Sequence, residues 1–264
     1  MVKKDTFENS PMGKAVIELS EEMQKRNMKP VSINVIGGFA LMMNDIRNPN
    51  DMTDIDYVGE PLPDDFNKLA DEIGIKHDLG RGWINNDVML SNSSMDDFEF
   101  ATGKLHFNQS MNVGNIKINV LDDKDVLRMK LIAIDTSLMA AEDGGDFSRA
   151  KDLSDVDKLL KRQNIECDQI NEKFDEYIMD ENTPAVIQAY RDGGRENAVK
   201  FVDDLSKKHR EKLQQQREQM QQDTKDKDIT QRFSSPYLDN LMNNLYARLE
   251  QEKASDTYDT YPTT

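Results

Sequence analysis

Two aspartates, Asp54 and Asp56, stand at spacing i, i+2 in the stretch Asp54-Ile55-Asp56-Tyr57-Val58. On a β-strand that spacing puts both side chains on one face and turns Ile55 the other way, into a core. Carboxylates side by side repel each other unless a cation sits between them. Hard divalent cations take oxygen ligands, and Mg²⁺ in phosphoryl chemistry is held by one or two carboxylates plus substrate phosphates. Just upstream, Val31, Ile33, Val35 and Ile36 form a β-branched run that reads as a buried strand. Gly37-Gly38 follows at once, then an apolar helical segment over residues 39–43. A strand-Gly-Gly-helix turn offers backbone N–H groups that favour an anion. An acidic pair for Mg²⁺ and a phosphate cradle in one supersecondary unit imply transfer of a phosphoryl or nucleotidyl group. The plainer alternative is a tight turn beside an exposed edge strand; against it, Tyr57-Val58 continue the strand as apolar residues.

These groups need a scaffold, and the chain supplies one in alternating pieces. Residues 10–27 read as a helix with Ser10 as N-cap, Pro11 at the first helical position, and Val16, Leu19 and Met23 on its apolar face. The Asn, Pro and Asp content of residues 44–53 marks a loop. Residues 64–74 form a short amphipathic helix closed by Gly74. Gly80-Arg81-Gly82-Trp83 is either a loop bordering the site, with Trp83 or Arg81 on a nucleotide, or a packed aromatic anchor; the anchor is preferred. Residues 97–121 read as β, with strands at Phe98-Glu99-Phe100, Lys104-Leu105-His106-Phe107 and 115–121, and turns at Gly103 and at Asn112 and Gly114. A helix with Asp123 as N-cap covers residues 123–141, and another opens at Lys151-Asp152-Leu153. Residues 168–222 are helical, with a start at Thr183-Pro184 and an interruption at Gly193-Gly194. The stretch from Lys207 to Arg217 is polar all round: a solvated helix, a coiled-coil arm or a linker, with enough Lys and Arg to touch RNA. Ser234-Ser235-Pro236 opens a last amphipathic helix with Leu238, Leu241, Leu245 and Leu249, and residues 255–264 read as a disordered tail.

Composition narrows the function classes. The 264 residues suffice for one large domain or two small ones. A net charge of −16 repels nucleic acid over most of the surface, which argues against a grip on long duplex but not against a nucleotide. No apolar run reaches the roughly 18 residues of a membrane span, and Met1-Val2-Lys3-Lys4-Asp5 lacks the apolar core of a signal peptide. Cys167, the single cysteine, fits a reducing cytoplasmic setting and sits in a helical pattern as a packing residue.

Gly37-Gly38, a helix, then Asp54-Ile55-Asp56 resembles the signature of the DNA polymerase beta-like nucleotidyltransferase superfamily. The Gly-Gly-x-Ala-Leu form resembles the bacterial nucleotidyltransferase-like proteins related to abortive-infection toxins more than it does the polymerases. The pairing of Met129-Lys130-Leu131-Ile132-Ala133 with Lys151-Asp152-Leu153-Ser154-Asp155-Val156 extends the resemblance over residues 30–162. It implies an α+β/α/β nucleotidyltransferase-like domain, a mixed sheet flanked by helices, over residues 1–162. A helical extension (163–205), a polar arm with the amphipathic helix (206–252) and the tail (253–264) follow. It implies Asp54 and Asp56 as ligands of one or two Mg²⁺ ions, with Gly37 and Gly38 cradling an NTP donor. Arg47 and Thr53 look like the Arg and Thr that precede the acidic pair in relatives; Arg47 binds a phosphate or simply pairs with Asp45 or Asp51. A third carboxylate commonly comes from the strand near residue 119. That strand carries Asn119, so either Asp122 has taken the role or the triad is incomplete. Lys130 and Lys151 would neutralise triphosphate charge; alternatively Lys130 pairs with Asp152 or Asp155 and locks two helices together. The implied acceptor is an RNA, protein or small-molecule hydroxyl. The implied setting is the toxin of a toxin–antitoxin or phage-defence pair, with an antitoxin or a second copy bound through the C-terminal helices. The alternative is a catalytically degenerate member of the fold that acts as a binding or regulatory protein.

Overall fold

The computed structural model describes residues 4–89 and 95–226. The amphipathic segment expected at 234–249 and the tail lie outside them. Residues through Lys207 make one compact unit, and a second begins at Lys208.

The first unit is α+β. Helices α1 (Lys4–Asn9) and α2 (Pro11–Lys25) lead into β1 (Val31–Val35), α3 (Gly37–Met43), β2 (Ile55–Val58), α4 (Asp64–Lys76) and the two-residue β3 (Ile84–Asn85). Helix α5 (Met95–Thr102), β4 (Gln109–Val113), β5 (Ile116–Val120), α6 (Asp123–Glu142), α7 (Leu153–Gln163), α8 (Ile170–Phe174) and α9 (Thr183–Asp226) follow. The strands form one mixed sheet in the order β3-β2-β1-β5-β4. β1 runs parallel to β5 and antiparallel to β2, so β5 reaches it only by a long crossover through α3 to β4.

Period-two patterning fixes the faces. Ile33 and Val35 on β1 align with Ile118 and Val120 on β5 and are buried, while Ser32, Asn34, Lys117 and Asn119 take the other face. The expected start of α2 is observed: the Ser10 hydroxyl accepts the Gly13 N–H at 2.9 Å, and Pro11 opens the helix. The helical segment beyond residue 162 packs into the same core, through Ile170, Val186, Ile187, Ala198 and Val202. Cys167 is buried there, as a packing residue.

Several expected elements are corrected. Phe98-Glu99-Phe100 is not a strand but part of α5, where the Thr102 hydroxyl donates to the Phe98 carbonyl at 2.8 Å. Residues 104–107 belong to no strand. His106 instead donates its N–H to the Asp125 carboxylate at 2.6 Å and accepts from the Asp122 N–H at 2.8 Å. Gly74 does not close α4, which runs on to Lys76. A Cβ on Gly74 would lie 2.2 Å from the Gly80 carbonyl oxygen and 2.3 Å from the Trp83 ring, so the glycine serves close packing. Trp83 is the packed anchor, fully buried with its indole N–H on the Ala70 carbonyl at 2.7 Å.

Helix α9 begins at Thr183 as expected, and its backbone leaves helical geometry at Gly193 and Gly194. Within the second unit, α9 continues to Asp226 and residues 210–219 are exposed. No helix among the described residues is long and apolar enough to cross a membrane.

Candidate functional site

Where β1 passes into α3 a cleft of about 230 Å³ opens. Its lining brings together Gly37, Gly38, Arg47, Asp54, Asp56, Lys130 and Lys151 from strand ends, loops and α6. Thr53 and Asp122 are not part of it.

The Gly-Gly turn works through close approach. Gly37 has φ +58°, in the left-handed region, and a Cβ there would lie 2.8 Å from an Asp56 carboxylate oxygen. A Cβ on Gly38 would lie 2.7 Å from the Arg47 guanidinium. The missing side chains therefore let Asp56 and Arg47 come against the turn. Helix α3 has only seven residues, so the backbone N–H groups at its start contribute more as local donors than as the end of a long dipole.

Asp56 lies on β2 and Asp54 immediately before it. Asp54 is exposed and Asp56 half-buried. Burial, followed by repulsion from Asp54, pushes the Asp56 carboxyl above the usual carboxylate range. A hydrogen bond from Asn85 and the charge of Lys130 only partly oppose the shift. Neither aspartate forms an ion pair with a lysine or arginine among the described residues. Two adjacent carboxylates without an ion-pair partner among the described residues are a donor set a hard divalent cation takes, so these residues fit Mg²⁺.

A second aspartate pair, at the start of α7, is treated in the opposite way. The Asp152 and Asp155 side chains are 1% and 4% exposed. Arg47 grips Asp155 through Nε, at 3.0 and 3.1 Å to its two oxygens, and through Nη2. It also lies 3.7 Å from Asp152. Lys130 pairs with Asp152 and lies 3.7 Å from Asp155. Arg149 reaches Asp152 at 3.5 Å. The Asp155 hydrogen bond holds the Arg47 guanidinium above its ordinary pKa. Arg47 therefore pairs with neither Asp45 nor Asp51, and the lock between α6 and α7 closes chiefly on Asp152. Lys151, exposed on the turn before α7, has no ion-pair partner among the described residues and faces the cleft.

The third carboxylate is not assembled. Asp122, not Asp123, caps α6: its Oδ1 accepts the Lys124 N–H at 2.8 Å and its Oδ2 the Asn108 amide at 2.8 Å. The Asn119 amide donates to Asn34 at 2.8 Å and to Ser32 at 3.0 Å, closing a side-chain bridge across the parallel strands.

Arg149, Asn85 and the apolar side chains of the cleft are site residues that the sequence reading does not name as such. Arg149 stands two residues before Lys151, a basic doublet ahead of α7 that was there to be read. Asn85 had no signal, since its closeness to Asp56 follows from the parallel pairing of β3 with β2. Compared with protein-family models, with curated proteins and with solved structures, the chain matches none.

Proposed function

We propose that the cleft binds a Mg²⁺–nucleoside triphosphate and transfers its nucleoside monophosphate to a hydroxyl acceptor. One observation carries this: an acidic pair and a lysine, all without an ion-pair partner among the described residues, open into the same cleft beside a Gly-Gly turn. A nucleoside triphosphate with its metal carries both missing charges. The mixed sheet with its strand-Gly-Gly-helix unit and adjoining acidic strand suits a nucleotidyltransferase-like domain.

Asp54 and Asp56 are the metal ligands, and Mg²⁺ there would polarise the α-phosphate and lower the cost of activating a hydroxyl. Gly37 and Gly38 let the phosphates approach the backbone. Lys151 holds the outer phosphates, while Arg47, Lys130 and Arg149 supply a fixed positive wall anchored on Asp152 and Asp155. The acceptor oxygen bonds to the α-phosphorus, the bond from that phosphorus to the β-bridging oxygen breaks, and pyrophosphate leaves. The hydroxyl proton passes to solvent. An RNA, a protein or a small molecule can present the hydroxyl, and the toxin of a toxin–antitoxin or phage-defence pair acting in the cytoplasm is the biological setting that suits this activity.

A second reading has its own support. Asn119 is an amide and Asp122 is committed to a helix cap, so neither adds a third carboxylate to Asp54 and Asp56. A binding or regulatory protein that keeps the nucleotide site without transfer, and meets a protein partner through its C-terminal helices, accounts for that.

Thermal unfolding with Mg²⁺ and each of the four NTPs, wild type beside Asp54→Ala/Asp56→Ala, tests the assignment. We expect a rise in Tm that the double substitution abolishes. Pyrophosphate release in the presence of cellular RNA and protein assigns transfer. A rise without release selects the second reading, and no rise with any NTP overturns nucleotide binding altogether.

A further inference from the structure

On the side of α6 turned away from the cleft lies a second cavity, of about 260 Å³. Lys124 and Arg128 stand at i, i+4 on that helix. At about 3.6 residues per turn they lie roughly opposite Val126, Met129, Lys130 and Ala133, which face the cleft. Lys173, in the last turn of α8, and Tyr177, just beyond it, complete the basic side of the cavity. Asp175 and Glu176 also line it.

Arg128 is the unusual member. It is 8% exposed, which is uncommon for arginine unless its donors are paired. Its Nη2 donates to the Lys104 carbonyl at 2.9 Å and lies 3.2 Å from an Asp125 oxygen. Its Cζ stands 5.2 Å from the centre of the Tyr177 ring. Gly103 makes that stacking possible, because a Cβ there would lie 2.6 Å from the Tyr177 hydroxyl and 3.1 Å from the Arg128 Cζ. Nε, however, is buried without a hydrogen-bond partner. Such an orphaned donor is commonly answered by a water or an ion. The cavity that Arg128 lines has room for far more than one water, whose share of the liquid is about 30 Å³. Lys124 and Lys173 are exposed and form no ion pair among the described residues.

From Arg128, Lys124 and Lys173 around one cavity, we infer a second anion site, separate from the cleft, that takes a phosphate group, as inorganic phosphate or as the end of a phosphate monoester. All three side chains are hydrogen-bond donors only. They come from two helices, and a tetrahedral phosphate has oxygens enough for each of them, whereas a carboxylate has two. Three cations against two acids leave the cavity positive, and the Coulomb attraction to it is twice as strong for a dianion as for a monoanion. The inference does not depend on the nucleotide reading of the cleft.

The experiment is isothermal titration of the full chain, without Mg²⁺ and at low salt, with inorganic phosphate, glycerol 3-phosphate and acetate. We expect phosphate to bind with a Kd of about 1 mM or below and acetate to bind at least about tenfold more weakly. Added NaCl should weaken the binding by screening the cations. Lys124→Ala and Lys173→Ala remove exposed side chains and leave the fold in place. Each should weaken phosphate by about fivefold to tenfold, the loss of one charge-assisted contact. Lys151→Ala, the same change of charge made in the cleft, should leave phosphate affinity within about twofold. Arg128→Lys keeps the charge but not the Nε–H, and should weaken phosphate as well. Glycerol 3-phosphate binding at least as tightly as phosphate assigns the site to a monoester, and weaker binding assigns it to free phosphate; both support the inference. Affinity lost in Lys151→Ala and kept in Lys124→Ala and Lys173→Ala places the anion in the cleft and overturns it. Acetate binding as tightly as phosphate, or no phosphate binding at about 10 mM, also overturns it, the last because the cavity then holds only water.

Discussion

Asp54, Asp56 and Asp152 line one cleft and Asp155 pairs with Arg47 at its wall, yet the chain treats the two aspartate pairs differently. Around Asp152 and Asp155 it gathers Arg47, Lys130 and Arg149 from three separate segments. Burying those carboxylates without partners would cost several kcal/mol each, so the cations are a condition of the fold. Asp54 and Asp56 form no ion pair among the described residues, although the charges of Arg47 and Lys130 reach Asp54 and Asp56. Two neighbouring carboxylates without ion pairs, beside cations tied to other acids, are what the proposed Mg²⁺–nucleotide site would be built on. In that proposal the paired acids hold the cleft together and the unpaired ones face the ligand.

The largest test of this contrast is Asp155→Ala. It leaves the Arg47 guanidinium, whose side chain is 26% exposed, without its main partner. Truncating one member of a buried pair costs about 3–5 kcal/mol. Urea denaturation should show a loss of that order with an unchanged slope. A loss under about 1 kcal/mol would mean the pair is not a structural lock, because surface pairs give that little.

How far the sequence shows this depends on distance along the chain. The acidic pair and the Gly-Gly turn were legible because strand alternation and a strand-to-helix turn are local patterns. The partner of Arg47 was not: Asp155 lies 108 residues away, and the sequence offered Asp45 and Asp51 close by as rivals. Lys130 was legible as a choice between phosphate and Asp152 or Asp155, since its helix and α7 resembled a paired motif. The cap of α6 shifted from Asp123 to Asp122 because adjacent aspartates cap equally well in principle, and only the approach of Asn108 and the 104–107 segment decides between them. At Phe98-Glu99-Phe100 three residues of alternation were too few to separate a strand from a helix turn. The mixed sheet with flanking helices was foreseen in class, while its strand order came only from the long-range pairing of β1 with β5.

Lys151→Ala sharpens the contrast from the basic side. Lys151 is exposed and bound to no acid among the described residues, so its loss should leave the denaturation midpoint nearly unchanged, within about 0.5 kcal/mol. If it holds an outer phosphate, the NTP affinity should fall about tenfold, equivalent to about 1.4 kcal/mol. Unchanged affinity would place the phosphates elsewhere in the cleft. A large stability loss would show that Lys151 belongs with the structural cations.

The smallest expected effect has the opposite sign. Asp56→Asn keeps the shape of the side chain and an acceptor for the Asn85 contact, while removing a charge that burial and Asp54 both oppose. In the absence of Mg²⁺ and nucleotide it should stabilise the protein by about 1 kcal/mol, as relieving a strained functional group commonly does. The same substitution should abolish the Tm rise produced by Mg²⁺ and NTP, because the second carboxylate ligand is gone. Stabilisation together with loss of the ligand response is what separates a site carboxylate from a structural one: Asp155, asked the same question, should answer with destabilisation. If Asp56→Asn instead destabilises the free protein, Asp56 is neutralised within the fold, and the distinction between the two aspartate pairs collapses.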